Sequence, residues 1–440
     1  DNTAQGPPGK QPHSRSIQMG VSSEDVEVAQ SEGLEGDGAP KGRCASCVCC
    51  KTKKRAAICG CCCCFSFLLI FFTLQIIVAA IAAPQIVEKH DRTEAPLRDA
   101  DGRLYTPNNM SASMWVPNCN GVVSNRAGTN VLLSRMAAFN AAAGWEAVSF
   151  DSAPGAGGQP MAKIHAWWLP VADPMAPRIV LCHGNNVNYN DWTVQVQAYI
   201  LRSMGFATLL PNLREHGASQ DTEHTSISWG YAYHLDVMGA WRYAVNDPDG
   251  VLGGAMSKSK VGIFGNSMGG LASALAFGLE VEAAGLWLDS AVFSPKAVFA
   301  SKLTDTFGFL GHLFTEISWS WAHRTAGVDL DFRSVPEVMG KSGGSGTRPV
   351  ALLHAKDDTV VPFSQADSYL AHIKETASLQ LKFEYFPEQS ACGGSTHIAM
   401  HFTKPNYYRQ ELCNFWSAVF GLNPSACSIP SLPDLESTVR

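Results

Sequence analysis

The chain has 440 residues, 46% of them hydrophobic and 16% charged, enough to bury the core of one large domain or two ordinary ones. Its net charge of −6 hides an asymmetry: Lys41, Arg43, Lys51, Lys53, Lys54 and Arg55 lie in one stretch without an acid, leaving about −12 for the rest. A body that acidic excludes nucleic acid as its partner.

Residues 1–40 are rich in Gly, Pro, Ser, Gln and acids and show no periodicity, the composition of a disordered cytosolic tail. A basic, Cys-rich juxtamembrane segment, 41–63, follows. Cys64–Ala83 is then a run of twenty residues without a charge, long enough to cross a bilayer as one helix. A cleaved signal peptide is the rival reading, since "AIAA" resembles a cleavage site. Its n-region would be about sixty residues long and Pro84 would adjoin the cut, so the run is read as an uncleaved signal anchor. The six cations before it outweigh Lys89, Arg92 and Arg98 after it, which are mixed with acids. The positive-inside rule therefore puts the N-terminus in the cytosol and everything after residue 84 in a lumen or outside the cell.

Nine of the fourteen cysteines crowd the cytosolic edge of the span. Zinc binding is one reading of this cluster. Cysteines beside Lys/Arg at a membrane fit S-palmitoylation, with Cys44, Cys47, Cys49, Cys50 and Cys59 as candidates. Cys182 sits in an apolar run and reads as a buried thiol. Cys119, Cys392, Cys413 and Cys427 can form two disulfides in an oxidising compartment, in any of three pairings. Asn109-Met110-Ser111 is a glycosylation sequon on the same side.

Residues 84–144 form a linker and N-terminal extension. From 145 to about 425 the chain alternates short β-type runs with helical stretches. The runs are Glu146–Phe150, Ala162–Trp168, Arg178–Cys182, Phe206–Leu210, Lys260–Phe264, Gly285–Leu288, Val350–His354 and Leu379–Phe386. Helical periodicity marks Trp192–Met204, Tyr231–Ala244, Met268–Leu279 and Phe363–Lys374. Repeated βα units predict an α/β fold with a mostly parallel eight-stranded sheet and helices on both faces. Only the Gly-rich "PGAGG" loop separates the first two runs, so they are expected to form an antiparallel hairpin. Residues 426–440 are left as a tail.

"VGIFGNSMGGLASALAF" carries the chemistry. Val261–Phe264 is apolar, Gly265-Asn266-Ser267-Met268-Gly269 fits G-x-S-x-G, and an Ala/Leu-rich helix follows. That is the strand–turn–helix setting in which the motif exposes a nucleophilic serine. A serine hydroxyl needs a base, and the base needs an orienting acid. "VALLHAKDDTVVPF" ends a strand with Asp357 and Asp358. "SACGGSTHIAM" sets His397 in a small-residue loop after the last strand. Ser267, Asp358, His397 is the chain order that such a fold requires. Asp289 after the sixth strand is an alternative acid. His183, Arg214 and His216 read as loop-bracing groups.

These motifs resemble those of the α/β-hydrolase superfamily over about 145–420. "LCHGNN" is similar to its oxyanion segment, "NLREHGAS" to its D-x-R-G-x-G-x-S loop, and "HAKDDTVVP" to HG-x-x-D-x-x-V-P. Asn212, Glu215 and Ala355 depart from that pattern. The resemblance selects Asp358 over Asp357 and His397 over His401. It implies an oxyanion hole from the backbone N–H groups of Asn185 and Met268, and "GVDLDF" and "KPNYYRQELCNFW" look like pieces of an often membrane-linked subgroup of broad ester specificity.

The insertion at about 293–347 is expected to form a helical cap. There Phe307, Leu310, Leu313, Phe314, Ile317 and Trp321 recur at helical spacing, either packing down on the sheet or meeting an acyl chain or a membrane. "GKSGGSG" lacks the helix start of a phosphate loop, and neither metal nor cofactor is expected. The reading is a membrane-anchored serine hydrolase of esters or thioesters. A peptidase or amidase is the rival within enzymes, and a non-catalytic binding ectodomain the rival outside them.

Overall fold

The structure is a computed structural model. It describes residues 53–89, 106–108, 126–222, 226–280, 282–340, 347–387 and 397–423. The chain divides after Phe65 into two units. Of Asp1–Phe65 only helical residues 53–65 are described. Ser66–Arg440 holds the rest. Asn109, Cys44, Cys47, Cys49, Cys50, Cys119, Cys392 and Cys427 lie outside the described residues, and Cys59 is placed only as part of a helix.

That helix, α1, runs Lys53–Val87, 35 residues, past both ends of the expected span. Pro84 lies inside it and removes one backbone donor. The last turns are held instead by packing: Ala83, Ile86 and Val87 bury against Trp319, Ala322, Ala326 and Leu330. The carbonyls of Ile86 and Val87, which the helix end would leave unpaired, accept from Trp229 Nε1 (2.9 Å) and Ile227 N (2.8 Å).

After α2 (Arg126–Ala143) come β1 (Glu146–Asp151), β2 (Lys163–Leu169), β3 (Arg178–Cys182), α3 (Trp192–Ser203), β4 (Ala207–Pro211) and α4 (Tyr233–Asn246). Then follow β5 (Val261–Asn266), α5 (Ser267–Leu279) and β6 (Leu286–Asp289). The cap helices α6 (Pro295–Phe307), α7 (Leu310–Ala326) and α8 (Val335–Val338) come next. The chain closes with β7 (Arg348–Leu353), α9 (Ser364–Glu375), β8 (Leu379–Tyr385), α10 (Met400–Thr403) and α11 (Pro405–Phe420). All eight expected strands form one sheet in the order β1-β2-β4-β3-β5-β6-β7-β8. β2 is antiparallel to β1 and to β4, and every other pairing is parallel.

β3, β4, β5 and β6 are buried along their whole length, as strands covered on both faces must be. One face packs on α4, α5, α8 and α9 through residues such as Trp241, Leu275, Val338 and Tyr369. The other packs on α2, α3 and α11 through Met136, Ile200, Leu412 and Trp416. The parallel arrangement brings the ends of β3, β5, β6 and β7 to one edge, where the loops carrying the candidate site residues leave the sheet.

Candidate active site

The turn from β5 into α5 is sterically forced. Asn266 is extended (φ −104°, ψ 131°). Ser267 then takes φ 52°, in the left-handed region that L residues avoid. The glycines make room for that reversal. A Cβ on Gly265 would fall 2.5 Å from both Gly269 O and Ser273 Oγ. One on Gly269 would collide with His183 O, and one on Gly270 with the Ala291 side chain.

The segment after β3 lies against the serine. A Cβ on Gly184 would stand 3.3 Å from Ser267 Cβ and 3.7 Å from its Oγ. His183 fixes this segment. Its Nε2 accepts from Leu213 N (3.1 Å), so the ring proton sits on Nδ1, which donates to Gly184 O (2.7 Å). Burial pushes His183 down to about 4, which keeps it neutral. The 212–219 loop is in turn tied to α4. Arg214 makes paired bonds to Asp236 (2.9 and 2.7 Å), with both side chains fully buried. Glu215, where the resembled loop has Gly, stands at φ 61°, which is the reason a glycine suits that position. Burial pushes its carboxyl up to about 7.

Asp358 and His397 come together at the end of β7. His397 Nδ1 donates to Asp358 Oδ2 at 2.8 Å, leaving Nε2 as the basic nitrogen of the neutral ring. The other carboxylate oxygen accepts from Val360 N (2.8 Å) and Val361 N (2.9 Å). His354 Nε2, 3.6 Å from Oδ2, adds a fourth neighbour that the sequence did not single out. Burial alone pushes the Asp358 carboxyl up, but His397, His354 and the Val361 N–H outweigh it and hold the group below the usual range. The Asp358 side chain is fully buried, whereas His397 keeps 13% of its side chain exposed.

A short bridge joins the two halves. Ile398 N, next to His397, donates to Ser290 Oγ (3.3 Å), and Val292 N donates to Ser267 O (3.1 Å). Among the described residues no hydrogen bond closes Ser267 Oγ onto His397.

Asp289 is engaged elsewhere. Its carboxylate accepts from Tyr408 Oη (3.2 Å) and Gln197 Nε2 (3.4 Å). Gln197 Nε2 also donates to Asn266 Oδ1 (3.0 Å), and Gln197 Oε1 accepts from Asn266 Nδ2 (2.7 Å). This buried network braces the residue before Ser267. Its sequence signal was a glutamine at a buried position of an apolar helix. His401 is fully buried beside Tyr408, and burial pushes it down to about 3.

Cys182 is a buried free thiol, whose pKa burial pushes up to about 12. Cys413 is disulfide-bonded. His323, Asp329 and Asp331 approach one another within 4.8 Å at the end of α7. Asp331 there accepts from Trp319 Nε1 and His323 from Leu330 N, so the cluster closes the helix end.

Residues 177–337 match the family model described as the alpha/beta hydrolase fold. Among solved structures, an esterase of Pyrococcus furiosus is similar over 63% of this chain and 91% of its own, at 15% identity and a TM-score of 0.46. An esterase of Exiguobacterium antarcticum is similar over 61% and 99%, at 16% identity and 0.39. A puromycin-hydrolyzing peptidase of Mycobacterium tuberculosis is similar over 63% and 40%, at 16% identity and 0.42. A comparison with curated proteins finds no match. The fold itself rests on the strand order and the family match.

Proposed function

The chain carries the α/β-hydrolase fold, and on that premise we propose that it is a membrane-anchored serine hydrolase of carboxylic esters or thioesters. One observation carries the chemistry: a histidine oriented by a buried carboxylate at 2.8 Å, at the same sheet edge as a serine on a strained turn. Ser267 Oγ attacks the carbonyl carbon while His397 Nε2 takes its proton. His397 then returns that proton to the departing alcohol or thiol, leaving an acyl-serine that water cleaves by the same route. Asp358 holds the ring in the required tautomer and stabilises the imidazolium. The tetrahedral oxyanion is met by the backbone N–H groups of Met268 and Asn185. The proximity of Gly184 to Ser267 supports this assignment. A purified full-length chain should hydrolyse p-nitrophenyl acetate, and Ser267→Ala should abolish it. Equal hydrolysis by both would refute the assignment.

Three observations support the anchor. Leu68–Val87 is long and apolar enough to cross a membrane. Among its residues whose side chains are described, α1 buries the stripe Gln75, Val78, Ala79, Ala83, Ile86 and Val87 and leaves Leu69 (59%) and Ile70 (67%) exposed. A core helix would bury those side chains, whereas a bilayer covers them. The bonded Cys413 fits an oxidising compartment, as the charge rule requires of the hydrolase body. Protease added to sealed microsomes should therefore spare that body, with Asn109 glycosylated. Digestion of the body in intact vesicles would overturn the orientation.

A further inference from the structure

The uncharged part of α1, Ala56–Val87, is 32 residues long. At about 1.5 Å per residue that is roughly 48 Å, against roughly 30 Å of bilayer hydrocarbon. Counted from the cations Lys53, Lys54 and Arg55, about twenty residues of span end at Gln75. The structure changes character at that residue. Gln75 is 5% exposed, and its Nε2 donates to Leu313 O (3.4 Å) at the head of α7. Beyond it, Val78 packs with Leu303 and Phe314, and the following turns pack on the rest of α7. The surplus of the helix is thus a stalk gripped by the cap.

The cap segment Phe307-Gly308-Phe309-Leu310-Gly311-His312-Leu313 carries no acid, Lys or Arg. Phe307, Leu310 and Leu313 are exposed, and Phe309 is 76% exposed. This tip adjoins the helix where the span leaves the hydrocarbon, and a tilt of α1 toward the cap side carries it deeper. On the helix, Leu74, Ile76 and Ile77 beside Gln75 are exposed as well. At its other end α6 begins at the site. Its N-cap Ser294 lies two residues after Val292, whose N–H holds Ser267 O; farther along the helix Lys302 reaches Thr359 O, next to Asp358.

We propose that the cap tip, Phe307–Leu313, inserts into the bilayer leaflet beside α1 and admits acyl esters that reside in that leaflet. The inference rests on the anchored-hydrolase reading above and names its substrate class. One end of the cap touches lipid, the other touches the nucleophile, and the 13 residues of α6 join them over roughly 20 Å. An ester drawn along this path need not bring its acyl chain through bulk water.

The test uses the full chain in phosphatidylcholine vesicles that contain a diazirine-bearing phosphatidylcholine. On illumination, the wild type should be labelled in the peptide spanning 303–316 as well as in the span. The quadruple variant Phe307→Gln, Phe309→Gln, Leu310→Gln and Leu313→Gln should lose about ten-fold or more in hydrolysis of a vesicle-embedded long-chain ester. It should keep p-nitrophenyl acetate turnover, which reports that the domain remains folded. Label in the span without label in 303–316 overturns the tip's position while sparing the anchor. Unchanged hydrolysis of the embedded ester by the variant overturns the substrate route. Extraction of the wild type by carbonate, with no label anywhere, removes the anchor itself and this inference with it.

Discussion

His397 Nδ1 stands 2.8 Å from Asp358 Oδ2, whereas Asp289, at the same sheet edge, accepts from Tyr408 and Gln197 on Oδ2 and from Ser290 on Oδ1. The two acids should therefore respond differently to substitution. Asp358→Asn presents an amide to His397 and disfavours the tautomer in which Nε2 is the base, at a cost of about 10³–10⁴ in kcat. Asp289→Asn and Asp357→Asn should each cost less than about ten-fold. Initial rates on p-nitrophenyl acetate decide the matter. A larger loss for Asp289→Asn than for Asp358→Asn would reverse the assignment.

Two glycines beside Ser267 separate folding from catalysis. A methyl on Gly269 would meet backbone His183 O, which cannot swing away, so Gly269→Ala should yield little folded protein. A methyl on Gly184 would sit 3.3 Å from Ser267 Cβ, tight but tolerable, while crowding the carbonyl's approach. Gly184→Ala should keep its thermal transition and lose about 10²-fold in kcat/KM. Full activity of Gly184→Ala would show that substrate does not pass between residues 184 and 267.

Glu215 predicts a pH-dependent stability with a definite sign. Its carboxyl is raised from 4.5 unfolded to about 7 folded by burial. Below the lower value both states hold the proton. Above the higher one both have lost it, and the folded state bears the cost of a buried charge, roughly 3 kcal/mol at most. Glu215→Gln should therefore match the wild type at pH 4 and exceed it in thermal midpoint at pH 8. Thermal melts at the two pH values check this, and a Gln variant less stable at pH 8 would contradict it.

The cysteines before the span should affect residence and not attachment. Replacing Cys44, Cys47, Cys49, Cys50 and Cys59 with Ser leaves the apolar length of α1 intact. The variant should stay in the carbonate-resistant fraction while its distribution among membranes shifts. Release into the soluble fraction would mean that lipidation, not the helix, holds the chain.

Much of the fold was legible because buried parallel strands are continuous apolar runs. The expected strands agree with the observed ones to within a few residues. The hairpin was legible from the lone "PGAGG" loop between two β-type runs, and β1 and β2 do pair antiparallel. α11 was not read as a helix from its own residues, because its Tyr, Arg, Asn and Trp contents mask an amphipathic face that only the sheet reveals. The expected span ends at Ala83, yet α1 runs through Pro84 to Val87, where packing on α7 holds it. In the site, motif order pointed to Ser267, Asp358 and His397. The supporting Gln197–Asn266–Asp289–Tyr408 network joins residues more than two hundred positions apart and carries no local pattern.

The cap stripe divides between two environments, neither of them the sheet. Phe314 is buried against α1 and the cap, as a packing residue is, whereas Phe307, Leu310, Leu313 and Trp321 stay exposed. Helical spacing sets which residues share a face, but not whether protein or lipid covers it.

The central claim is that Ser267 is the nucleophile, activated by His397. A fluorophosphonate probe reports this directly, because it phosphonylates a serine only where a base has activated the hydroxyl. With the full-length chain, the mass adduct should map to Ser267 in the wild type, be absent in Ser267→Ala and slow by orders of magnitude in His397→Ala. An adduct on any other residue, or undiminished labelling of Ser267→Ala, would contradict the account.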